Sequence, residues 1–205
     1  MKTENISVYS TGNGVEKALE LTERTAAYCG LEKKTALRLR LLSEEVIELI
    51  RPFTNSIQGD FWLETKDNNI EIHLKTNIPM DLQTREELLS FSTSGKNAAA
   101  KGLMGKIREM IAKLTLPDDP ETKIMTDEAL GIMSMGCSMG IHHGGACTWS
   151  MNDYATSVSA AKTSNAETDE AKDELEKSIL ANVADEVEVN IVDSVVEVVI
   201  FKKYA

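Results

Sequence analysis

The sequence predicts an α+β fold, a two-layer α/β sandwich in which helices cover one face of a mixed, mostly antiparallel sheet. Two observations support this. First, two stretches with strong strand patterns pair as hairpins, one in the first half of the chain and one at its end. Second, the segments before and between them repeat their apolar residues with the period of a helix. The predicted strands are 4–9, 60–66, 69–76, 187–192 and 195–202.

Length and composition exclude several classes of protein. The 205 residues predict a single domain, 1–205, with an insertion at about 115–165. The formal net charge of −11 argues against a nucleic-acid interface and against adhesion to anionic membranes, since both need clustered positive charge. No apolar run reaches the roughly 18–20 residues that a membrane span needs. Three scattered cysteines and an N-terminus without a leader pattern favour a reducing cytoplasm.

The N-terminal quarter is predicted to form a strand and then two helices. The strand 4–9 ends at the turn 11–14, and a helix over 15–28 is stopped near Gly30. The second helix, 31–53, is the strongest helical signal in this half of the chain. Its apolar arc consists of Leu39, Leu42, Val46, Leu49, Ile50 and Phe53.

This second helix also carries apolar residues on its opposite side. Leu37 and Leu41 lie there, and Glu44 and Glu48 fall beside them, one turn apart. Because a helix that is apolar on two sides is largely covered, both carboxylates are expected near packed or concave surface, as the wall of a ligand site. The alternative is that both are surface carboxylates in ordinary helix ion pairs, Arg40–Glu44 and Glu48–Arg51.

The rest of the chain alternates well-defined and poorly defined segments. The hairpin 60–76 is followed by a short helix at 84–91, a small polar loop at 92–100 and an amphipathic helix at 102–114. Residues 125–151, which hold five of the nine methionines, match neither a helix nor an alternating strand. Helices are predicted at 153–162 and 169–183 before the closing hairpin.

This order of elements, with SEEVIELI in the second helix and GLMG at the start of a later one, resembles the GHKL (Bergerat-fold) ATP-binding domain. Within that family it is most similar to the anti-sigma-factor serine kinases. The family's N box is a glutamate followed four residues later by a magnesium-binding asparagine. The resemblance implies that Glu44 is a general base. It also implies that Glu48, in place of the asparagine, binds Mg²⁺.

The family's later glycine box is similar to residues 101–105, and residues 93–100 stand where its lid lies. A glycine-bearing loop entering a helix offers backbone N–H groups to phosphate, and Lys106 would add positive charge; the alternative is an ordinary flexible loop. The first glycine box has no counterpart, because residues 76–80 read TNIPM. By resemblance, ATP contacts Asn77, Thr93, Ser94, Lys96, Lys101, Gly102, Leu103 and Gly105.

Two functions follow as predictions. One is an ATP-binding regulatory protein resembling anti-sigma-factor serine kinases, which transfers a phosphoryl group to a partner's serine if it is active. The resemblance implies a sigma factor or an anti-anti-sigma-like protein as the partner, and it allows a homodimer. The other is a catalytically inactive protein of the same fold that binds a partner through 115–165. Whether the chain is an enzyme stays open between them.

A zinc site is the third alternative. Cys137, His142, His143 and Cys147 place thiol and imidazole groups within eleven residues, which is a set of ligands that zinc accepts. Adjacent histidines rarely point at one metal, however, and the segment has no Cys-x-x-Cys pair. An ordinary glycine-rich core or loop segment is therefore favoured, and bound zinc is not expected.

Overall fold

The structure is a computed structural model that describes residues 1–52, 56–78, 103–114, 146–161 and 166–204. Six strands and six helices lie in these ranges. The strands are β1 (Ile6–Tyr9), β2 (Gln58–Lys66), β3 (Asn69–Asn77), β4 (Ala146–Ser150), β5 (Glu186–Val192) and β6 (Val195–Lys203). The helices are α1 (Val15–Tyr28), α2 (Lys33–Ile47), α3 (Leu103–Leu114), α4 (Met151–Ala160), α5 (Ala166–Lys177) and α6 (Ile179–Val183).

The described strands form one sheet in the order β1-β2-β3-β6-β5-β4. Every pairing among them is antiparallel, so the parallel component of the predicted mixed sheet does not occur in the described part of the chain. The α+β class is confirmed, and the five predicted strands are present with ends within two residues of those expected. The two hairpins meet where β3 pairs with β6, at the centre of the sheet.

The core lies between one face of this sheet and the helices. Alternate residues of the strands, among them Phe61, Ile72 and Val198, are buried in the same cluster as the apolar side of α2 and α3. This arrangement is consistent with a two-layer sandwich. No described helix has both the length and the hydropathy that a membrane crossing requires.

The edge strand β4 was not predicted. Trp149, opposite Val189 of β5, is fully buried in the core, and Cys147 pairs with Ile191 on the same face. The strand spans only five residues and follows a glycine-rich stretch, so its alternation of apolar and polar residues is too short to stand out. Residues 146–161, which the prediction placed within the insertion, therefore supply a strand and a helix to the sheet and core.

Two helix predictions are wrong in detail. The helix expected over 169–183 is broken at Ser178, whose hydroxyl accepts a hydrogen bond from the Ala181 N–H at 3.3 Å and caps α6. The helix expected over 31–53 ends at Ile47, and the chain continues through turns to residue 52. Its second apolar strip is not covered, because Leu37 is 67% exposed and Leu41 is only half-buried.

Candidate functional site

The predicted ligand site corresponds to one end of the sheet, where the end of α2 approaches α3. Arg108 of α3 donates a hydrogen bond from Nη2 to the carbonyl oxygen of Glu48, at 2.7 Å. Just after α2, Ile50 packs over Gly59, which pairs with Thr76 next to the end of β3. The end of α2, the end of β3 and α3 therefore lie close together.

Glu44 takes part in a surface ion-pair network between α1 and α2. Its Oε1 accepts a hydrogen bond from Nε of Arg40 at 3.1 Å, and Arg40 also binds the carboxylate of Glu23 in α1. The hydrogen bond to Glu23 is the main cause that raises the pKa of Arg40, and the negative charge of Glu44 adds to it. This is the helix ion pair that the sequence offered as the alternative role for Glu44.

Glu48 has an exposed side chain that pairs with Arg51, with Oε1 and Nε 3.5 Å apart. Its backbone carbonyl, and not its carboxylate, is what binds Arg108. Glu44 and Glu48 thus lie one turn apart as expected, but each has its own arginine partner. No described contact joins the two carboxylates.

Glu45 was missed by sequence reasoning, and, like Glu48, it interacts electrostatically with Arg108 of α3. Burial is the main cause that raises its pKa, and the charges of Glu48 and Glu44 raise it further, while Arg108 opposes them. Burial likewise lowers the pKa of Arg108, whose Nε is buried without a hydrogen-bond partner in the structure. The sequence does contain a pattern that could have identified Glu45: the period of the helix places it beside Leu42 and Leu49, which are both buried.

Most of the predicted nucleotide contacts cannot be placed. Thr93, Ser94, Lys96, Lys101 and Gly102 lie outside the described residues. Of the other three, Asn77 is exposed at the end of β3, whereas Leu103 and Gly105 are buried in the first turn of α3. Lys106 was expected to add positive charge for phosphate, but its ammonium group binds Glu174 of α5 at 2.6 Å.

The half-burial of Glu45 leads to a prediction about pH. Its folded pKa is raised above the ordinary value of 4.5, so between pH 7 and 4.5 the folded protein binds more protons here than the unfolded chain. Stability from this group therefore increases as the pH falls through that window. We expect thermal melts of Glu45→Gln to show a weaker increase in Tm on acidification than wild type. If Tm increased as much or more on acidification in Glu45→Gln as in wild type, the raised pKa of Glu45 would be contradicted.

A second group of ionisable residues lies on the other face of the sheet, away from the core. His73 stacks on Trp62, with ring centroids 4.7 Å apart and planes at 8°. Its Nε2 lies 3.3 Å from Oε2 of Glu71 and 4.0 Å from Oε1 of Glu64, and its Nδ1 lies 3.3 Å from Oε1 of Glu197. His73 alternates along β3 with the apolar core residues Ile72 and Leu74 and lies on the opposite face, yet it is buried as well.

The register of the sheet explains this cluster. In the β2–β3 hairpin, Glu64 pairs with Glu71 and Trp62 pairs with His73, so four neighbouring side chains share one face. The sequence predicted the hairpin, but it did not show which side chains of the two strands are neighbours, because that depends on the register.

Only one of the four candidate zinc ligands is described. Cys147 is buried on the core side of β4, and Cys137, His142 and His143 lie outside the described ranges. Comparison with known proteins adds no assignment. No protein-family model matches the chain, and neither the curated proteins nor the solved structures contain a significant match.

Proposed function

We propose that this chain is an ATP-binding regulatory protein similar to the anti-sigma-factor serine kinases, with a protein as its partner. The observation that supports this is the approach of the end of α2, the end of β3 and α3 at one end of the sheet. These are the elements between which the family resemblance places the nucleotide.

In this proposal Mg²⁺ binds at Glu48, because its carboxylate is exposed and hard cations prefer oxygen ligands. Glu44 is one turn away and acts as the general base once its hydrogen bond from Arg40 is released. The phosphates are contacted by residues 93–102 and by the first turn of α3. Positioning and charge stabilisation supply most of the rate in such chemistry.

A catalytically inactive interaction protein of the same architecture is the second candidate. It is favoured by the ion pair of Glu44 with Arg40, since this contact occupies the carboxylate that the first candidate needs as its base. The absence of the first glycine box from residues 76–80 points the same way. The two candidates differ in whether nucleotide stabilises the fold.

Thermal melting with and without Mg-ATP separates them. A ligand at 100 times its Kd stabilises the folded state by roughly 2.7 kcal/mol, so a competent site should raise Tm measurably at millimolar Mg-ATP. No shift at that concentration would exclude the first candidate. A shift that requires magnesium and yet survives Glu48→Ala would exclude Glu48 as the metal ligand.

Variants of α2 make this test specific. Glu48→Ala should reduce the magnesium-dependent shift, and Glu44→Ala should keep the shift but lose any ATP turnover. Glu32→Ala is the matched control, because it removes an exposed carboxylate at the other end of the same helix. If Glu32→Ala and Glu48→Ala lost the Tm shift equally, the loss would result from the change in net charge and not from removal of a magnesium ligand.

A further inference from the structure

We propose that the face of the sheet opposite the core binds one divalent transition-metal ion of the Zn²⁺ class, through His73, Glu71 and Glu64. The site is separate from the proposed nucleotide site and does not depend on it. One ligand atom from each of the three residues lies within 4.8 Å of the others.

The imidazole of His73 is the observation that points to a ligand. Its side chain is only 10% exposed, and Nε2 is buried without a hydrogen bond, although Oε2 of Glu71 lies 3.3 Å away. A buried polar atom without a partner destabilises the folded state, because it has lost its contact with water and gained no hydrogen bond. A metal ion between Nε2 and the two carboxylates would satisfy this nitrogen and both negative charges.

The surroundings of His73 hold the ring in the orientation that a metal ligand needs. Glu197 lies 3.3 Å from Nδ1, so a neutral imidazole that donates its Nδ1–H to this carboxylate keeps a lone pair on Nε2. Stacking on Trp62 fixes the plane of the ring. Glu197 is therefore a positioning residue, in the carboxylate–histidine–metal arrangement common to zinc proteins.

The distances suit a tetrahedral ion. With ligands at about 2.0–2.2 Å from zinc, neighbouring ligand atoms are roughly 3.4 Å apart. The 3.3 Å between Nε2 and Oε2 of Glu71 matches this, whereas the 4.0 Å to Oε1 of Glu64 requires a small movement of that carboxylate. Three protein ligands leave the fourth position for water or another small ligand.

Lys2 is the competitor for this site. Its Nζ lies 3.1 Å from Oε1 of Glu64 and 4.4 Å from the centre of the Trp62 ring, and Trp62 Nε1–H donates to the same oxygen at 2.9 Å. Metal binding would displace the ammonium from Glu64 and leave the Trp62 hydrogen bond in place. The affinity for zinc should therefore increase when Lys2 is removed.

Calorimetric titration of the full chain with zinc chloride, after treatment with a chelator, tests the proposal. We expect one equivalent to bind and expect His73→Gln and Glu71→Gln each to lose more than about 100-fold in affinity. Glu197→Gln should lose roughly 10- to 100-fold, and Lys2→Ala should bind more tightly. Glu188→Gln is the matched control, because it removes a carboxylate from the same face without removing a ligand atom.

Cobalt provides an independent readout. Because the Trp62 ring stacks on His73, Co²⁺ bound at Nε2 should quench tryptophan fluorescence in wild type and in Glu188→Gln, but not in Glu71→Gln. Zinc binding that survives both His73→Gln and Glu71→Gln would overturn the proposal and place the metal elsewhere, as would an absence of binding at tens of micromolar zinc. If His73→Gln does not fold, Glu71→Gln and Lys2→Ala decide the question.

Discussion

Gly14→Ala is expected to destabilise the protein by about 3–5 kcal/mol. Gly14 is the N-cap of α1 and has φ +83°, a left-handed conformation that glycine adopts without strain. A Cβ there would lie 2.0 Å from the carbonyl oxygen of Ser7 and 3.2 Å from Cα of Val8. Both are backbone atoms of β1, which is paired with β2, so the strand cannot move away without losing its pairing.

Gly30→Ala is the matched control, because Gly30 follows the same helix and also has a positive φ, +66°. A Cβ at Gly30 meets nothing within 4 Å, so only the backbone strain remains, at about 1 kcal/mol. Urea unfolding of the two variants should therefore give a difference of about 2 kcal/mol or more. Equal losses would mean that the contact with β1 has relaxed and that only the strained φ matters.

These two glycines illustrate what the sequence could predict. The pattern TGNG at 11–14 indicates a turn, and Gly30 indicates a helix end, and both are present. Sequence could not tell which glycine is tightly packed, because the contact joins Gly14 to a strand whose position depends on the sheet. The positions of turns and helix ends could be predicted from the sequence, whereas the packing between helices and strands could not.

The same limit applies to the strands and to the candidate site. The strands with several alternating pairs, such as β3 and β6, were predicted from their own residues, but β4 is recognisable only by its pairing with β5. Glu44 was singled out by the helical pattern and by a motif resemblance, whereas Glu45, whose pKa burial raises, belongs to no motif. The cluster around His73 needed the register of three strands.

The ion pair between Lys106 of α3 and Glu174 of α5 is expected to be costly to break. Nζ and Oε2 are 2.6 Å apart, and the two side chains are only 19% and 12% exposed. Burial is the main cause that raises the pKa of Glu174, with Glu170 and Asp173 adding to it against the attraction of Lys106. Each charge therefore depends on its partner in an environment that disfavours charge.

Lys106→Met and Glu174→Leu should each cost about 3–5 kcal/mol, because each leaves a buried charge without its partner. The double variant should recover most of this loss, since apolar side chains of similar size suit the α3–α5 interface.

Lys177→Met is the matched control: it breaks the Lys177–Asp173 pair of α5, which has a similar distance of 2.7 Å but is 74% and 55% exposed. Urea unfolding should show a loss within about 0.5 kcal/mol for that control. Single losses no larger than the control's would mean that water screens the Lys106–Glu174 pair. If the double variant is stable and still responds to Mg-ATP, Lys106 serves the packing of α3 and not the phosphates.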